Sequence, residues 1–215
     1  MNIKIINTKA EHAKGIYDLV RLAYRDTLDV VYGEEGITDD AVLQQIARFP
    51  EGQFVAITQD DPPLVVAMAA TMMVSRPPTA PPLTWLEAMG GTGITKHDPN
   101  GQWLYGVEMA VLPDYRRHGI GTALYQKRFE LVKRLNLRGW YAGGSLMGYH
   151  RFEGQLSVAE YAEKVISGEL IDPTVTMQMH RGFKPICFIP DYLPDEPDAG
   201  NGAVLIVWEN PDYRE

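Results

Sequence analysis

An α/β fold is what this sequence predicts, and three observations predict it. Apolar runs of strand length alternate with runs of helical periodicity along the whole chain. The 215 residues are 45% hydrophobic and 22% charged, enough apolar material for a substantial core. Neither an internal repeat nor a linker-like composition interrupts the alternation, so residues 1–215 read as a single domain.

Ile3 to Ile6 reads as the first strand. Thr8-Lys9-Ala10-Glu11 then has capping-box spacing, with Ile16, Leu19, Val20 and Ala23 at helical intervals behind it. Thr38 to Phe49 reads as a second helix, with Val42, Leu43 and Ile46 on one face and Pro50 as its stop. Phe54 to Thr58 and Leu64 to Met73 read as a hairpin across the turn Gln59-Asp60-Asp61-Pro62-Pro63. Residues 75–102, rich in Pro and Gly, form a long loop of the kind that often carries function. The capping box Thr84-Trp85-Leu86-Glu87 opens one short helix within it. Its glycines at 90, 91 and 93 make no phosphate loop, since no Gly-Lys-Ser/Thr follows and no strand leads in.

Trp103 to Leu112 is the next strand, and Pro113-Asp114 leads into a long helix from about Tyr115 to Leu135. Ile120, Leu124, Leu131 and Leu135 fall near one face of it. The basic residues Lys127, Arg128, Lys133, Arg134 and Arg138 complement the C-terminal end of its dipole and read as a solvated face. Trp140-Tyr141-Ala142 is a short strand that Gly143-Gly144 ends. The insert 145–173 carries its own helix, from the capping box Ser157-Val158-Ala159-Glu160 to Gly168. Asp172-Pro173 opens a further helix ending at Gly182. Phe183 to Ile189 and Ala203 to Trp208 are the last strands, joined by the acidic, Pro-rich loop 190–202.

A net charge of −8 argues against nucleic acid as a partner, because phosphate binding needs a basic footprint. The same charge suits a cationic substrate, or simply a well-solvated surface. The apolar run at Met1-Asn2-Ile3-Lys4-Ile5-Ile6 is too short for a signal peptide, and no stretch approaches the roughly 18 apolar residues of a membrane span. A cytoplasmic protein without membrane attachment is the expectation. Cys187, the sole cysteine, lies in the apolar run Pro185-Ile186-Cys187-Phe188-Ile189, where a buried core thiol is expected and neither an intrachain disulfide nor a metal site is.

The chemistry concentrates in residues 103–122, where an apolar strand ends at Val111-Leu112-Pro113 and Arg116-x-x-Gly119-x-Gly121 opens the helix. A helix N-terminus offers four backbone N–H groups without intrahelical partners and a partial positive charge, which suits a pyrophosphate. Gly119 and Gly121 would let phosphate oxygens approach the backbone, while Arg116 and Arg117 add charge. Two glycines so spaced could instead serve close packing of helix on sheet.

The run from Glu108 through Met109, Ala110, Val111, Arg116, Arg117, His118, Gly119, Ile120, Gly121 and Thr122 to Leu124 resembles the acetyl-CoA motif Q/R-x-x-G-x-G/A of the GNAT superfamily. The order of elements and the corner His180-Arg181-Gly182-Phe183 are similar to that family as well. The resemblance implies a mixed, splayed central sheet with helices on both faces, and pantetheine lying in the gap between the strand ending at Val111 and the strand at 140–142. It implies acetyl-CoA as cosubstrate without a metal, pantetheine pairing along Met109, Ala110 and Val111, and pyrophosphate on the N–H groups of residues 117–122. It also implies a β-bulge aiming an N–H, that of Met109, at the thioester oxygen. Gly148-Tyr149-His150, Tyr161 through Leu170, Asp172-Pro173, Gly182-Phe183, residues 189–195 and Trp208-Glu209-Asn210-Pro211 resemble the GNAT domain fused to a nitrilase-type amidohydrolase in some bacterial proteins. Residues 1–215 hold no such hydrolase domain, and a separate amidohydrolase partner is left open, as is a homodimer.

The family's usual chemistry is direct attack of an amine on the thioester, and its carboxylate base falls here on Glu108. By strand parity Glu108 faces away from Met109 unless a bulge intervenes, so a structural role for it stays open. The tyrosine that protonates the leaving thiolate in many relatives is matched by Gln178, which is no acid. Tyr141, Tyr149 and His150 are the candidate replacements. The expected activity is N-acetylation of a small-molecule primary amine, held by the first helices, loop 75–102 and the insert 145–173. A catalytically silent acetyl-CoA sensor and an O-acyltransferase are the alternatives.

Overall fold

In the computed structural model, which describes residues 2–23, 37–193 and 196–215, strand and helix alternate much as the periodicity dictates. The elements are β1 (Ile3–Asn7), α1 (Ala13–Ala23), α2 (Asp39–Arg48), β2 (Gln53–Thr58), β3 (Val65–Val74), α3 (Trp85–Met89), β4 (Trp103–Val111), α4 (Ile120–Arg134), β5 (Gly139–Ser145), α5 (Val158–Ile166), α6 (Val175–Met179), β6 (Lys184–Ile189) and β7 (Ala203–Glu209). The seven strands form one mixed sheet in the order β1-β2-β3-β4-β5-β7-β6. Neighbouring strands are antiparallel except β4 and β5, which run parallel. β3 is apolar along nearly its whole length because both its faces are covered.

The parallel pair is short. Trp103 pairs with Gly139, Leu104 with Trp140 and Tyr105 with Tyr141, and beyond Tyr105 the two strands part. Where they part, β4 bulges: Ala70 of β3 lies opposite Glu108 while Thr71 lies opposite Gly106, so Val107 is the extra residue. Bulging frees the Val107 carbonyl from the ladder, and the buried Trp85 indole donates to it at 2.7 Å. Below the sheet α4 packs against Trp140, whose ring centroid lies 5.2 Å from Tyr125, 5.3 Å from Phe129 and 4.8 Å from Phe183. On the opposite face of β5, Tyr141 meets the long loop and donates from its hydroxyl to the Arg76 carbonyl at 2.9 Å.

Thr38, Thr84 and Ser157 cap α2, α3 and α5 as their spacing predicts. Several local expectations are corrected. The Thr8–Glu11 capping box does not form; Ala10–His12 is a 3-10 turn whose imidazole Nδ1 accepts the Lys9 N–H at 2.9 Å. The long helix begins at Ile120 rather than Tyr115, because Arg117 (φ +63°) and Gly119 (φ +81°) are left-handed. β5 runs on through Gly143 and Gly144, where the Tyr192 ring and the Gln178 side chain occupy the space a Cβ would need. The helix expected from Asp172 to Gly182 shrinks to α6. Arg128 is not part of a solvated face but is 3% exposed, while Lys127, Lys133, Arg134 and Arg138 are exposed. Cys187 is half-buried on the edge strand β6 rather than in the core.

The insert is tied to the sheet by one buried carboxylate. Asp172 is fully buried and accepts from the N–H groups of Gly148 (2.8 Å), Thr174 (2.8 Å) and Val175 (2.9 Å) and from the Tyr161 hydroxyl (3.1 Å). Removing it strands four donors. Asp172→Ala is therefore expected to cost about 3 kcal/mol or more in urea unfolding, while the exposed Glu153→Ala in the same insert stays within about 0.5 kcal/mol. Equal midpoints for the two variants would contradict this anchoring role.

Candidate active site

The segment after β4 turns sharply before α4 begins. Pro113–Tyr115 form a 3-10 turn, Arg116 is extended, and Arg117 and Gly119 are left-handed before α4 starts with Gly119 as its N-cap. A helix N-terminus leaves its first N–H groups without intrahelical partners, so the turn ahead of α4 ends on free backbone donors. A Cβ at Gly119 or Gly121 would have no other side chain or loop among the described residues within 4 Å, so the space in front of the turn is open to a ligand. Arg117 and His118 are exposed there. Arg116 braces the turn instead: its Nε donates to the Val111 carbonyl at 3.0 Å and its Nη2 to the Ala23 carbonyl at 3.4 Å. A further cation stands beside the first helical turn, where Arg181 Nη2 donates to Thr122 Oγ1 at 2.9 Å and lies 4.9 Å from the Tyr125 ring centroid.

Met109, Ala110 and Val111 pair with β3 on one side. Past Tyr105, no strand among the described residues pairs with them on the other side, so that edge of β4 faces the gap. Beside this edge the parted strands enclose a cavity of about 230 Å3, lined among others by Glu108, Met109, Tyr125, Arg128, Gln178 and Glu196. The Glu108 carboxylate folds back to accept the Met109 N–H at 2.9 Å, the amide expected to face a thioester oxygen. Gln178 takes the place expected of it and donates from Nε2 to the Tyr125 hydroxyl at 3.1 Å. Because that hydroxyl accepts from Gln178, its own proton is left to be donated elsewhere. Arg128 donates from Nη2 to the Met109 sulfur at 2.9 Å, and its guanidinium lies 4.4 Å from the Tyr125 ring centroid and 4.3 Å from that of Trp140. Burial pulls its pKa down to about 10, partly offset by Tyr125 and Glu108.

Glu196 closes the cavity from the loop before β7. It is 5% exposed, and its Oε2 has no hydrogen-bond partner among the described residues. Burial pushes its carboxyl up to about 7 against the opposing hydrogen bond from Ser145, with the charges of Glu108 and Asp198 adding to the rise. The three acids considered from sequence are elsewhere. The Tyr149 hydroxyl donates to the Leu156 carbonyl, His150 contacts the Met147 carbonyl at the surface, and Tyr141 lines a second cavity. That second cavity, of about 320 Å3, lies under the proline-rich loop against Tyr105, Tyr141 and Leu205, and it shares Gly143 and Tyr192 with the first. Burial raises the Tyr192 hydroxyl to about 12, and it hydrogen-bonds to that of Tyr105 at 2.8 Å.

Tyr125, Arg128, Arg181 and Glu196 are the site residues that sequence reasoning missed. Arg128 carried a signal, since it stands four residues after Leu124 and three before Leu131 on the helix face that packs on the sheet. Glu196 carried none, as its place in the cleft depends on how the loop 190–202 returns. No cluster of three or more His, Cys, Asp or Glu suited to a metal occurs among the described residues, nor does a helix long and apolar enough to cross a membrane.

Comparison with known proteins gives the arrangement its family. The family model described as acetyltransferase (GNAT) matches residues 15–146. The chain is 32% identical over 185 residues to the probable hydrolase YhcX of Bacillus subtilis, covering 86% of this chain and 36% of that protein. It is 30% identical over 178 residues to the uncharacterized N-acetyltransferase YkwB of the same organism, covering 83% of this chain and 77% of YkwB. The fold is shared with the loading GNATL domain of CurA from Lyngbya majuscula, at TM-score 0.79 and 18% identity over 98% of both chains. It is shared equally with GphF, a GNAT-like decarboxylase in complex with isobutyryl-CoA, at TM-score 0.79 and 17% identity over 96% of this chain and 99% of that one. The family match spans the glycine turn, the bulged strand and its parting from β5, and the chain therefore belongs to the GNAT acetyltransferase family.

Proposed function

We propose that this acyltransferase moves the acetyl group of acetyl-CoA onto a primary amine by direct attack of the amine on the thioester. One observation carries the reading: the edge of β4 that β5 leaves after Tyr105 leads from an open, glycine-lined helix N-terminus to a cavity holding carboxylates. In this reading the pyrophosphate rests on the N–H groups of residues 117–122, pantetheine follows Met109 to Val111, and the thioester reaches the cavity beside Glu108. GphF in complex with a CoA thioester and the naming of YkwB as an N-acetyltransferase support the donor and the kind of bond. The acceptor's body would sit in the apolar cavity under residues 75–98. Its amine would point past Tyr192 toward the carboxylates. Residues 24–36, which join the first two helices, lie outside the described residues.

The chemistry asks three things of the site. A carboxylate, Glu108 or Glu196, takes a proton from the incoming ammonium. The amine nitrogen then bonds to the thioester carbon while the C–S electron pair leaves with sulfur. In this reading the Tyr125 hydroxyl, which lines the same cavity, protonates that sulfur, with Arg128 nearby to steady negative charge. A CoA thioester consumed without any dependence on amine would point instead to chemistry on the acyl group itself, the kind GphF is described as performing.

Two predictions follow from this placement of charge and space. Gly121→Val should leave the fold intact, since a side chain there meets open space, yet abolish acetyl-CoA binding in calorimetry. Arg117→Ala should weaken that binding by about 1–3 kcal/mol, with a lower salt dependence. Unchanged affinity in both variants would remove the pyrophosphate assignment. The second prediction concerns stability. Between pH 4.5 and about 7 the folded Glu196 carboxyl holds a proton that the unfolded chain has released, so stability falls as pH rises through that window. At about 1.4 kcal/mol per pH unit the gap amounts to about 3 kcal/mol. Glu196→Gln should therefore be more stable than the parent by about that amount at pH 8, and gain nothing below pH 4.5. Parallel pH–stability curves for the two proteins would show that Glu196 is not so desolvated.

A further inference from the structure

We propose that Glu196 is the group that takes the proton from the acceptor ammonium, and that Glu108 is a positioning residue that orders the bulged edge of β4 beside it. The inference rests on the acyl-transfer reading above and assigns roles within the same cleft.

The two carboxylates are differently committed. Glu108 accepts the N–H of the next residue, Met109, at 2.9 Å, which locks the strand edge just past the bulge. Glu196 is 5% exposed and lines the cavity, and its Oε2, itself buried, has no hydrogen-bond partner among the described residues. A buried oxygen without a donor is costly, and an ammonium or amine N–H entering the cavity would satisfy it. Its backbone is held for the purpose: its N–H donates to Asn201 Oδ1 at 3.0 Å, and its carbonyl accepts from Ala199 and Asn201, each at 3.1 Å. The carboxyl is thereby carried on a hydrogen-bonded turn.

The charged and titratable groups facing it come from every side. Glu108 approaches from β4, Asp198 from the 3-10 turn Pro197–Ala199, Tyr192 from the same loop, and Tyr125 and Arg128 from α4 across the cavity. Ser145 of β5 is hydrogen-bonded to the carboxyl. Burial and the two anionic neighbours together place its titration near neutrality, so that at physiological pH it is available both to accept a proton and to release it to solvent. The step balances. One proton passes from the ammonium to Glu196 and on to water; the C–N bond forms as the C–S bond breaks; the second nitrogen proton is matched by the one that sulfur takes up.

The experiment compares the parent with Glu196→Gln, Glu196→Asp and Glu108→Gln, measuring acetyl-CoA affinity by calorimetry, pH–rate profiles with the best amine of a panel, and carboxyl titration by 13C NMR of glutamate-labelled protein. Glu196→Gln should bind acetyl-CoA as the parent does but turn over about 10²–10⁴-fold more slowly at pH 7, with the rise in rate near pH 7 gone. Glu196→Asp should keep a rise. In Glu108→Gln the rise should persist and move to lower pH, because a negative neighbour has been removed, and the NMR titration should move with it. The proposal is overturned if Glu196→Gln retains the rise, or if Glu108→Gln is the variant that loses it. A parent that binds acetyl-CoA and acetylates no amine overturns the acyl-transfer reading and this assignment together, whereas a retained rise in Glu196→Gln overturns this assignment alone.

Discussion

The structure depends on two parallel strands that stop pairing after three residues. Once β4 leaves β5 at Tyr105, the backbone groups on that edge have no ladder partner among the described residues, and a folded protein cannot leave many such groups buried and idle. The fold answers this locally. Val107 bulges out, Trp85 captures its carbonyl, and Glu108 takes the next N–H with its own side chain. The edge that remains is a strip of polar backbone next to a cavity, which is what an extended amide-bearing cofactor arm can pair with.

The parting also decides the electrostatics. It opens a space between α4 and the loop before β7, and Arg128 and Glu196, which ordinarily seek water, line it with little exposure. Arg128 compensates for lost water with two aromatic faces and the Met109 sulfur. Glu196 compensates by keeping its proton to near neutral pH. Such desolvation is a cost to stability, and it yields groups whose charge can change during a reaction. Arg117 and His118 at the glycine turn are exposed, by contrast, where solvent and salt screen their charges.

Much of this was legible in the sequence where one residue's chemistry suffices to fix its surroundings. Thr38, Thr84 and Ser157 announce helix starts, because a cap is a contact within three residues. Gly119 and Gly121 pointed to open space in front of the backbone, and a Cβ at either meets nothing within 4 Å beyond its own turn among the described residues. What could not be read were contacts that depend on a distant partner. His12 displaced the Thr8–Glu11 cap, and Tyr192 and Gln178 allowed β5 to continue through two glycines. Arg128 looked like one of a run of surface cations until the ring of Trp140, on another element, covered it. Glu196 is the extreme case, a carboxyl in an acidic loop whose burial arises only when that loop folds over the gap.

In the proposed function, the gap between β4 and β5 is where a CoA thioester is presented. A crystal structure of the protein with coenzyme A tests it most directly. The expected result is pyrophosphate oxygens within hydrogen-bond distance of the N–H groups around Gly119 and Gly121, pantetheine amides paired with the edge at Met109 to Val111, and the sulfur in the cavity between Glu108, Tyr125 and Glu196. Coenzyme A seated in the proline-lined cavity instead, or lying across the surface with the β4 edge unoccupied, would contradict it.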